Sequence, residues 1–417
     1  MTLIRLAFLS LKSRALTVSL TVFAIALSVV LFLGVEKLRT GARASFADTI
    51  SGTDLIMGAR SGGVQLLLYS VFRIGNATNN VTWESYQDIA SRPEIAWSVP
   101  ISLGDSHRQF RVMGTTPEYF ERYRYRGDRA LAFDQGEQMN NLFDSVIGTD
   151  VATQLGYGVG DPIVVAHGVA SFSKHEDTPF RISGILEKTG TPVDRTVIVS
   201  LEAIEAIHVD WQGGGQKSGS PTPVEVIREM DLQPKAITAA MLGVNSKLQI
   251  FSVQRAINEY PEEPLLAILP GIALQELWGI VGIAERALIG VSAMVVVTAL
   301  LGMSVMVLSG LNARRREMAI LRAMGAGPKI VMGLLMIEAV LMACLGTALG
   351  VLLLYLGLAV LQPWLDSAFG LFIPITFLSP REVLILGAVV VASAVVSLLP
   401  AIRAYQMSLA DGMTVRM

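Results

Sequence analysis

NARRREMAILRAMGAGP, residues Asn312–Pro328, lies between two long apolar segments and opens with three consecutive arginines, Arg314, Arg315 and Arg316. Met318, Leu321 and Met324 recur at helical spacing, which predicts a short helix with one apolar face. Gly325 and Gly327 end that helix, and Pro328 suits the first turn of the next one. A basic amphipathic helix in this setting has two physical readings. It is either a positive-inside loop lying on lipid headgroups, or a docking helix that offers a cytoplasmic protein a small apolar face with a charged rim.

Composition points to a membrane protein. Of 417 residues, 52% are hydrophobic and only 16% charged, and the mean hydropathy is +0.52. These values are too apolar for an ordinary soluble enzyme. The length allows two or three domains. The single cysteine, Cys344, excludes an intrachain disulfide, so any part outside the membrane folds on its core alone. A net charge of −2 says little, because the charges are unevenly placed.

Four segments are apolar for the roughly 20 residues that a bilayer requires: Ala15–Val35, Ala287–Ala313, Ile330–Gln362 and Val383–Ile402. Basic residues orient them. Arg5, Lys12 and Arg14 precede the first span, Arg314, Arg315, Arg316, Arg322 and Lys329 fill the loop between the second and third, and Arg403 and Arg416 follow the fourth. All three groups share one side when both termini are cytoplasmic. Lys37, Arg39 and Arg43 run against this pattern. Ala42-Arg43-Ala44 has a small-x-small form, but the first apolar run exceeds the ~7–15 residues of a signal peptide and reads as an uncleaved span.

The expected architecture is a helical membrane protein with an α+β extracytoplasmic domain. Residues 1–14 form an amphipathic interfacial helix, with Leu3, Leu6, Ala7 and Leu11 on one face. The spans cover 15–35, 287–313, 330–362 and 383–402. A cytoplasmic coupling helix occupies 314–329, a short outer loop 363–382 and a cytoplasmic tail 403–417. The large insert, 36–286, comprises a core subdomain with a stalk (36–124 and 234–286) and a second subdomain (125–233). Within it, strands are expected at Asp54–Ala59, Ile95–Leu103, Gln109–Met113, Ser145–Gly148, Pro162–Ala166, Phe180–Leu186 and Thr196–Ser200. Helices are expected at Thr82–Ala90 with Thr82 as cap, Thr116–Tyr123, Thr149–Leu155, Leu201–His208, Asn245–Glu259 and Gly271–Arg286, the last running into the second span. Trp211–Pro223 reads as a flexible loop.

Arg315–Ala326, RREMAILRAMGA, resembles the R-x-E-[IM]-A-[IL]-L-R-A-[ML]-G-A signature of MacB/FtsX-type (LolC/E-like) ABC transporter permeases, in the same place between the second and third spans. Val112–Phe120, VMGTTPEYF, is similar to a run in the periplasmic core of that family. Val146-Ile147-Gly148, Gly158–Asp161 and Phe180–Leu186 resemble its second subdomain. Pro400–Ala404 resembles its C-terminal ending, although Ser408 stands where the family's tail carries a proline. The resemblance implies a non-catalytic inner-membrane subunit with a large periplasmic domain. Its coupling helix (Arg314, Arg315, Arg316, Glu317, Met318, Leu321, Arg322 and Gly325) would dock on a separate cytoplasmic ABC ATPase present in two copies. ATP and Mg²⁺ belong to that partner, and no cofactor to this chain. It also implies a second permease copy or paralogue, contact with membrane lipid, and a periplasmic adaptor or lipoprotein as a further candidate partner. The implied work is mechanotransmission that exports or extracts a cargo. Two alternatives are regulation of a periplasmic cell-wall enzyme or signalling partner, and a membrane-anchored receptor without an ATPase.

No Walker A loop is present; Gly213–Ser218 imitates one at the wrong spacing. Glu338, the one charge inside a span, marks a candidate intramembrane polar site. It reads either as a structural partner of Arg322 or a coupling-loop arginine, or as an ion-coupling group. His107, His167, His175 and His208 lack the spacing of zinc ligands, so no metal is expected. Tyr119–Arg126 alternates aromatics and arginines as a solvated surface does, and nucleic acid is not an expected partner. Gly346, Gly350 and Gly357 favour close helix packing, with a dimer interface as one setting.

Overall fold

The computed structural model describes residues 2–12, 14–167, 179–212, 215–216, 222–313, 320, 323–369, 373 and 375–406. The chain divides into a membrane unit (Met1–Gly41, Gly282–Trp364 and Ile373–Met417) and an insert unit (Ala42–Val281 with Leu365–Phe372).

Four helices are long and apolar enough to cross a bilayer: Ala15–Asp48, Pro270–Ala313, Pro328–Phe369 and Pro380–Gln406. Three of them begin with proline, whose fixed φ and missing N–H suit the first helical position. The fourth also carries a capping box. Ser379 Oγ accepts from the Glu382 amide at 3.3 Å, and Glu382 Oε2 accepts from the Ser379 amide at 2.7 Å. Pro270–Ala313 is one unbroken helix of 44 residues, roughly 66 Å at 1.5 Å per residue.

The first spanning helix shows how the membrane unit packs. Leu16, Leu20, Phe23, Leu27 and Leu31 form an exposed stripe, while Ile25, Ala26, Val29 and Leu33 are buried. The buried face meets the third spanning helix at two glycines. A Cβ on Gly346 would stand 2.7 Å from Ile25 Cγ2, and one on Gly350 would stand 2.8 Å from the Ala26 carbonyl oxygen. Small residues let backbones approach where lipid supplies no hydrophobic drive. These two glycines are therefore consumed inside the chain rather than at a dimer interface; a Cβ on Gly357 would meet nothing within 4 Å.

The insert unit is built on an 11-stranded mixed sheet. Its main path runs Leu265–Ile268, Leu55–Ala59, Ala239–Val244, Ile95–His107, Phe110–Thr115, Thr196–Ser200, Asp144–Ile147, Phe180–Leu186 and Phe133–Gly136. Thr196–Ser200 lies parallel to Phe110–Thr115, and Phe180–Leu186 parallel to Asp144–Ile147; the other main-path pairs are antiparallel. The sheet runs without a break through both of the subdomains expected from sequence.

Period-two alternation sorts the side chains. Leu55 and Met57 enter one core with Val253 and Ile257 of the helix Ile250–Asn258. Ile56 enters the opposite one with Leu66 and Leu67 of the helix Gly63–Ser70. Val112, Val197 and Val199 pack with Val151 and Ala203 in a third core, while Met113 and Ile198 point to the other face. Several local expectations shift. The strand expected at Pro162–Ala166 splits into Pro162–Ile163 and Ala166–His167, because the halves pair with different strands. The helix expected from Asn245 starts at Ile250, after a 3-10 turn at Lys247–Gln249. A short hairpin, Trp211–Gln212 with Gly215–Gln216, forms in the segment expected to be a loop.

Candidate functional site

The sequence places its main site between the second and third spanning helices. Arg314, Arg315, Arg316, Glu317, Met318, Leu321 and Arg322 lie outside the described residues. The described remainder forms a helical end: the Met324 amide donates to the Ile320 carbonyl at 3.0 Å, and Gly325 takes φ +97°. That left-handed conformation stops a helix at little cost only for glycine. Ile320 and Met324, one turn apart, are both exposed. Two exposed apolar side chains therefore lie one turn apart between the second and third spanning helices.

Glu338 is buried and engaged in an interaction, not free; the Arg322 expected to pair with it lies outside the described residues. At the same end of the membrane unit, Arg14 Nη2 donates to the Gly310 carbonyl at 3.1 Å.

The insert-side end carries charge that sequence reasoning registered only as an exception to the positive-inside pattern. Lys37 Nζ lies 3.3 Å from Glu382 Oε1, with side chains 7% and 3% exposed, and donates to the Thr376 carbonyl at 3.3 Å. Tyr355 donates to the same carbonyl at 2.7 Å. Arg39 binds Glu36 through Nε at 3.1 Å and Nη2 at 2.8 Å and approaches Glu285 at 3.9 Å. Arg381 Nε also reaches Glu36, at 3.3 Å. Lys37, Arg39 and Arg381 are thus matched by Glu36, Glu285 and Glu382, and Arg43, the third basic residue that runs against the charge pattern, lies over the Trp278 ring at 5.3 Å.

In the insert unit, His107 is buried, with Nδ1 2.7 Å from the Val164 carbonyl and Nε2 3.1 Å from the Tyr157 hydroxyl. A carbonyl only accepts, so Nδ1 carries the hydrogen and Nε2 accepts from Tyr157. His208 Nδ1 binds the Ile204 carbonyl at 2.6 Å. Among the described residues, no three His, Cys, Asp or Glu side chains are grouped to hold a metal. Burial, reinforced by Arg108, holds the His107 imidazole below the ordinary histidine range. The unfolded chain takes up a proton there below about pH 6.5 while the folded one resists it. The stability from this site is therefore present above the unfolded pKa and is lost as pH falls through the folded one. Between about pH 7.5 and pH 5, the melting temperature of the parent is expected to fall more steeply than that of His107→Phe. Parallel slopes would remove His107 as the cause.

Two cavities, of about 470 and 370 Å³, flank Arg73 and Arg111 in the insert unit. Arg73 has φ +59°, a rare backbone conformation for a side chain of its size. Its Nη2 lies 2.6 Å from Met113 Sδ, and Nε and Nη1 are buried without a hydrogen-bond partner. Burial pushes this guanidinium below its usual range, and pushes the neighbouring Tyr119 hydroxyl up to about 12 against the pull of the Arg73 charge. Sequence gave no signal for this site, because one arginine among many does not reveal its burial.

Comparison with known proteins closes the argument. The MacB-like periplasmic core domain matches residues 18–258, and the FtsX-like permease C-terminal domain matches residues 289–409. No curated protein matches the chain significantly. Among solved structures, the periplasmic region of MacB from Actinobacillus actinomycetemcomitans is 11% identical, with 55% of this chain and 94% of that one covered and a TM-score of 0.34. The extracellular domain of the noncanonic ABC-type transporter YknZ from Gram-positive bacteria is 13% identical, with 52% and 99% covered and a TM-score of 0.29. The family assignment rests on the two domain matches, the first of which covers more than half of the residues. The chain belongs to the MacB/FtsX-type family: it is an ABC-transporter-type permease, multi-pass in the inner membrane, with a large periplasmic domain between its first two spans.

Proposed function

We propose that this permease is the non-catalytic membrane subunit of an ABC transporter, driven by two copies of a separate cytoplasmic ATPase that supplies ATP and Mg²⁺ chemistry. The coupling segment 314–329 docks on that ATPase. Both termini are cytoplasmic, and a second permease copy or paralogue completes the complex. ATPase closure is transmitted as a conformational change of the periplasmic domain, which exports or extracts a cargo. The observation that carries this reading is the exposed Ile320–Met324 turn between the second and third spans, within the stretch that resembles the family's coupling signature. Membership of a family whose permeases work with ATPase partners supports the kind of partner.

The test is co-purification from native membranes. Replacing Arg316, Glu317 and Leu321 together by alanine is expected to abolish recovery of the ATPase while the permease still inserts. Removing a buried charged contact and an apolar anchor costs on the order of 4 kcal/mol, about a thousandfold in affinity. Undiminished ATPase recovery would end the docking assignment.

A further inference from the structure

The cavities beside Arg73 have an unusual charge inventory. Arg73 and Arg111 line both, and Arg195 lines the smaller one; neither wall contains an aspartate or glutamate. The larger cavity is polar, walled by Asn76, Thr78, Asn79 and Asn80. The smaller one is largely apolar, walled by Phe46, Phe72, Ile74, Phe110 and Pro192. The buried carboxylate of Asp194, which follows the wall residues Gly190, Thr191 and Pro192 in the chain, is already occupied. Its oxygens accept from the Thr189 amide at 2.8 Å and the Gly190 amide at 2.7 Å, and Lys188 stands 3.6 Å away.

Arg73 forms no ion pair with the described residues, and two of its guanidinium nitrogens lack partners. Arg111 Nη2 donates only to an uncharged group, the Gly75 carbonyl at 3.1 Å. A partly exposed arginine whose Nε and Nη1 are nonetheless buried without a counter-charge is disfavoured, and strained backbone at the same residue is commonly kept for a purpose. An anion is the group that would balance these charges. The division of the walls adds a second requirement, since a polar pocket and an apolar pocket meet at the same two arginines.

We propose that this site binds an amphiphilic anion, a molecule whose carboxylate or phosphate head sits against Arg73 and Arg111 and whose apolar part fills the cavity walled by Phe46, Phe72 and Phe110. Guanidinium groups suit both oxyanions, because their planar donors match carboxylate and phosphate geometry. Binding here requires no ATPase, so this inference and the docking of segment 314–329 stand or fall separately.

The experiment uses the full chain in phosphatidylcholine nanodiscs and a diazirine-bearing dodecanoic acid as probe, with the matching diazirine-bearing dodecanol as neutral control. After irradiation, the acid is expected to label peptides containing Phe72–Ile74 or Gly190–Arg195. The alcohol should label them about tenfold less, the loss expected when a charge-assisted hydrogen bond disappears. Arg111→Met, at a partly exposed position, should lower acid labelling by a similar factor, and Arg73→Met should do the same. Dodecyl phosphate should compete with the acid, whereas inorganic phosphate at equal concentration should not. Equal labelling by acid and alcohol, or undiminished labelling of Arg111→Met, would overturn the anion site. Competition by inorganic phosphate as strong as that by dodecyl phosphate would show that the head alone is recognised, and would overturn the amphiphile.

Discussion

Glu382→Leu is expected to destabilise the membrane unit on the order of 3–5 kcal/mol, the usual consequence of stranding a buried charge. The stranded group is Lys37, only 7% exposed and held 3.3 Å from the Glu382 carboxylate. Among the described residues its other contacts are the Thr376 carbonyl and hydroxyl and the Tyr355 ring, none of which carries charge. Glu382 also closes the capping box at the start of the fourth spanning helix, so its removal frees the Ser379 amide as well. The measurement is thermal unfolding of the full chain in neutral detergent, followed by tryptophan fluorescence. Lys37→Met with Glu382→Leu should recover much of the loss, because two apolar side chains in one place can replace a buried ion pair. Glu382→Gln should fall between the parent and the leucine variant, since it retains the acceptor for Ser379. A double variant no more stable than Glu382→Leu would mean that capping, rather than charge, dominates.

Gly350→Leu is expected to be the second severe change. The added Cβ alone would stand 2.8 Å from both the Ala26 carbonyl oxygen and Val29 Cβ. A carbonyl in a helix cannot rotate away, so the first and third spanning helices must separate along their contact. Overpacking of this kind costs about 1–3 kcal/mol or more. Gly357→Leu on the same helix is the control, because its Cβ meets nothing within 4 Å. Limited proteolysis of the two variants in the same detergent checks the point. Equal protection would show that the Gly350 contact is dispensable.

The parts of the fold legible in sequence were those written in local pattern. Apolar runs located the four long helices, a short apolar run marked the strand expected at Asp54–Ala59, and alternation marked the one expected at Gln109–Met113. Thr82 was readable as a cap, and its hydroxyl accepts from the Ser85 amide. What sequence could not show depends on residues distant in the chain. Lys37 and Arg39 run against the charge rule in sequence, and their partners Glu382 and Glu285, hundreds of residues later, are visible only in the fold. Gly346 and Gly350 announced close packing but not the partner, which proved to be the first spanning helix. The strand Pro162–Ala166 broke because its two halves answer to different neighbours, a competition invisible in a window of five residues. The cavities at Arg73 had no local signature, since burial of a charge is a tertiary fact.

Arg14, on the Gly310 carbonyl, immediately precedes the first spanning helix, and Lys37, beside Glu382, lies on it. At 1.5 Å per residue they stand ~34 Å apart along its axis, close to the ~30 Å of a bilayer's hydrocarbon layer. Neither group can snorkel freely, because each is tied to a neighbouring helix. The permease is thereby gauged to one lipid thickness. In bilayers of progressively longer acyl chains, the energy of mismatch would fall on these two fastenings before it reached anything else in the molecule.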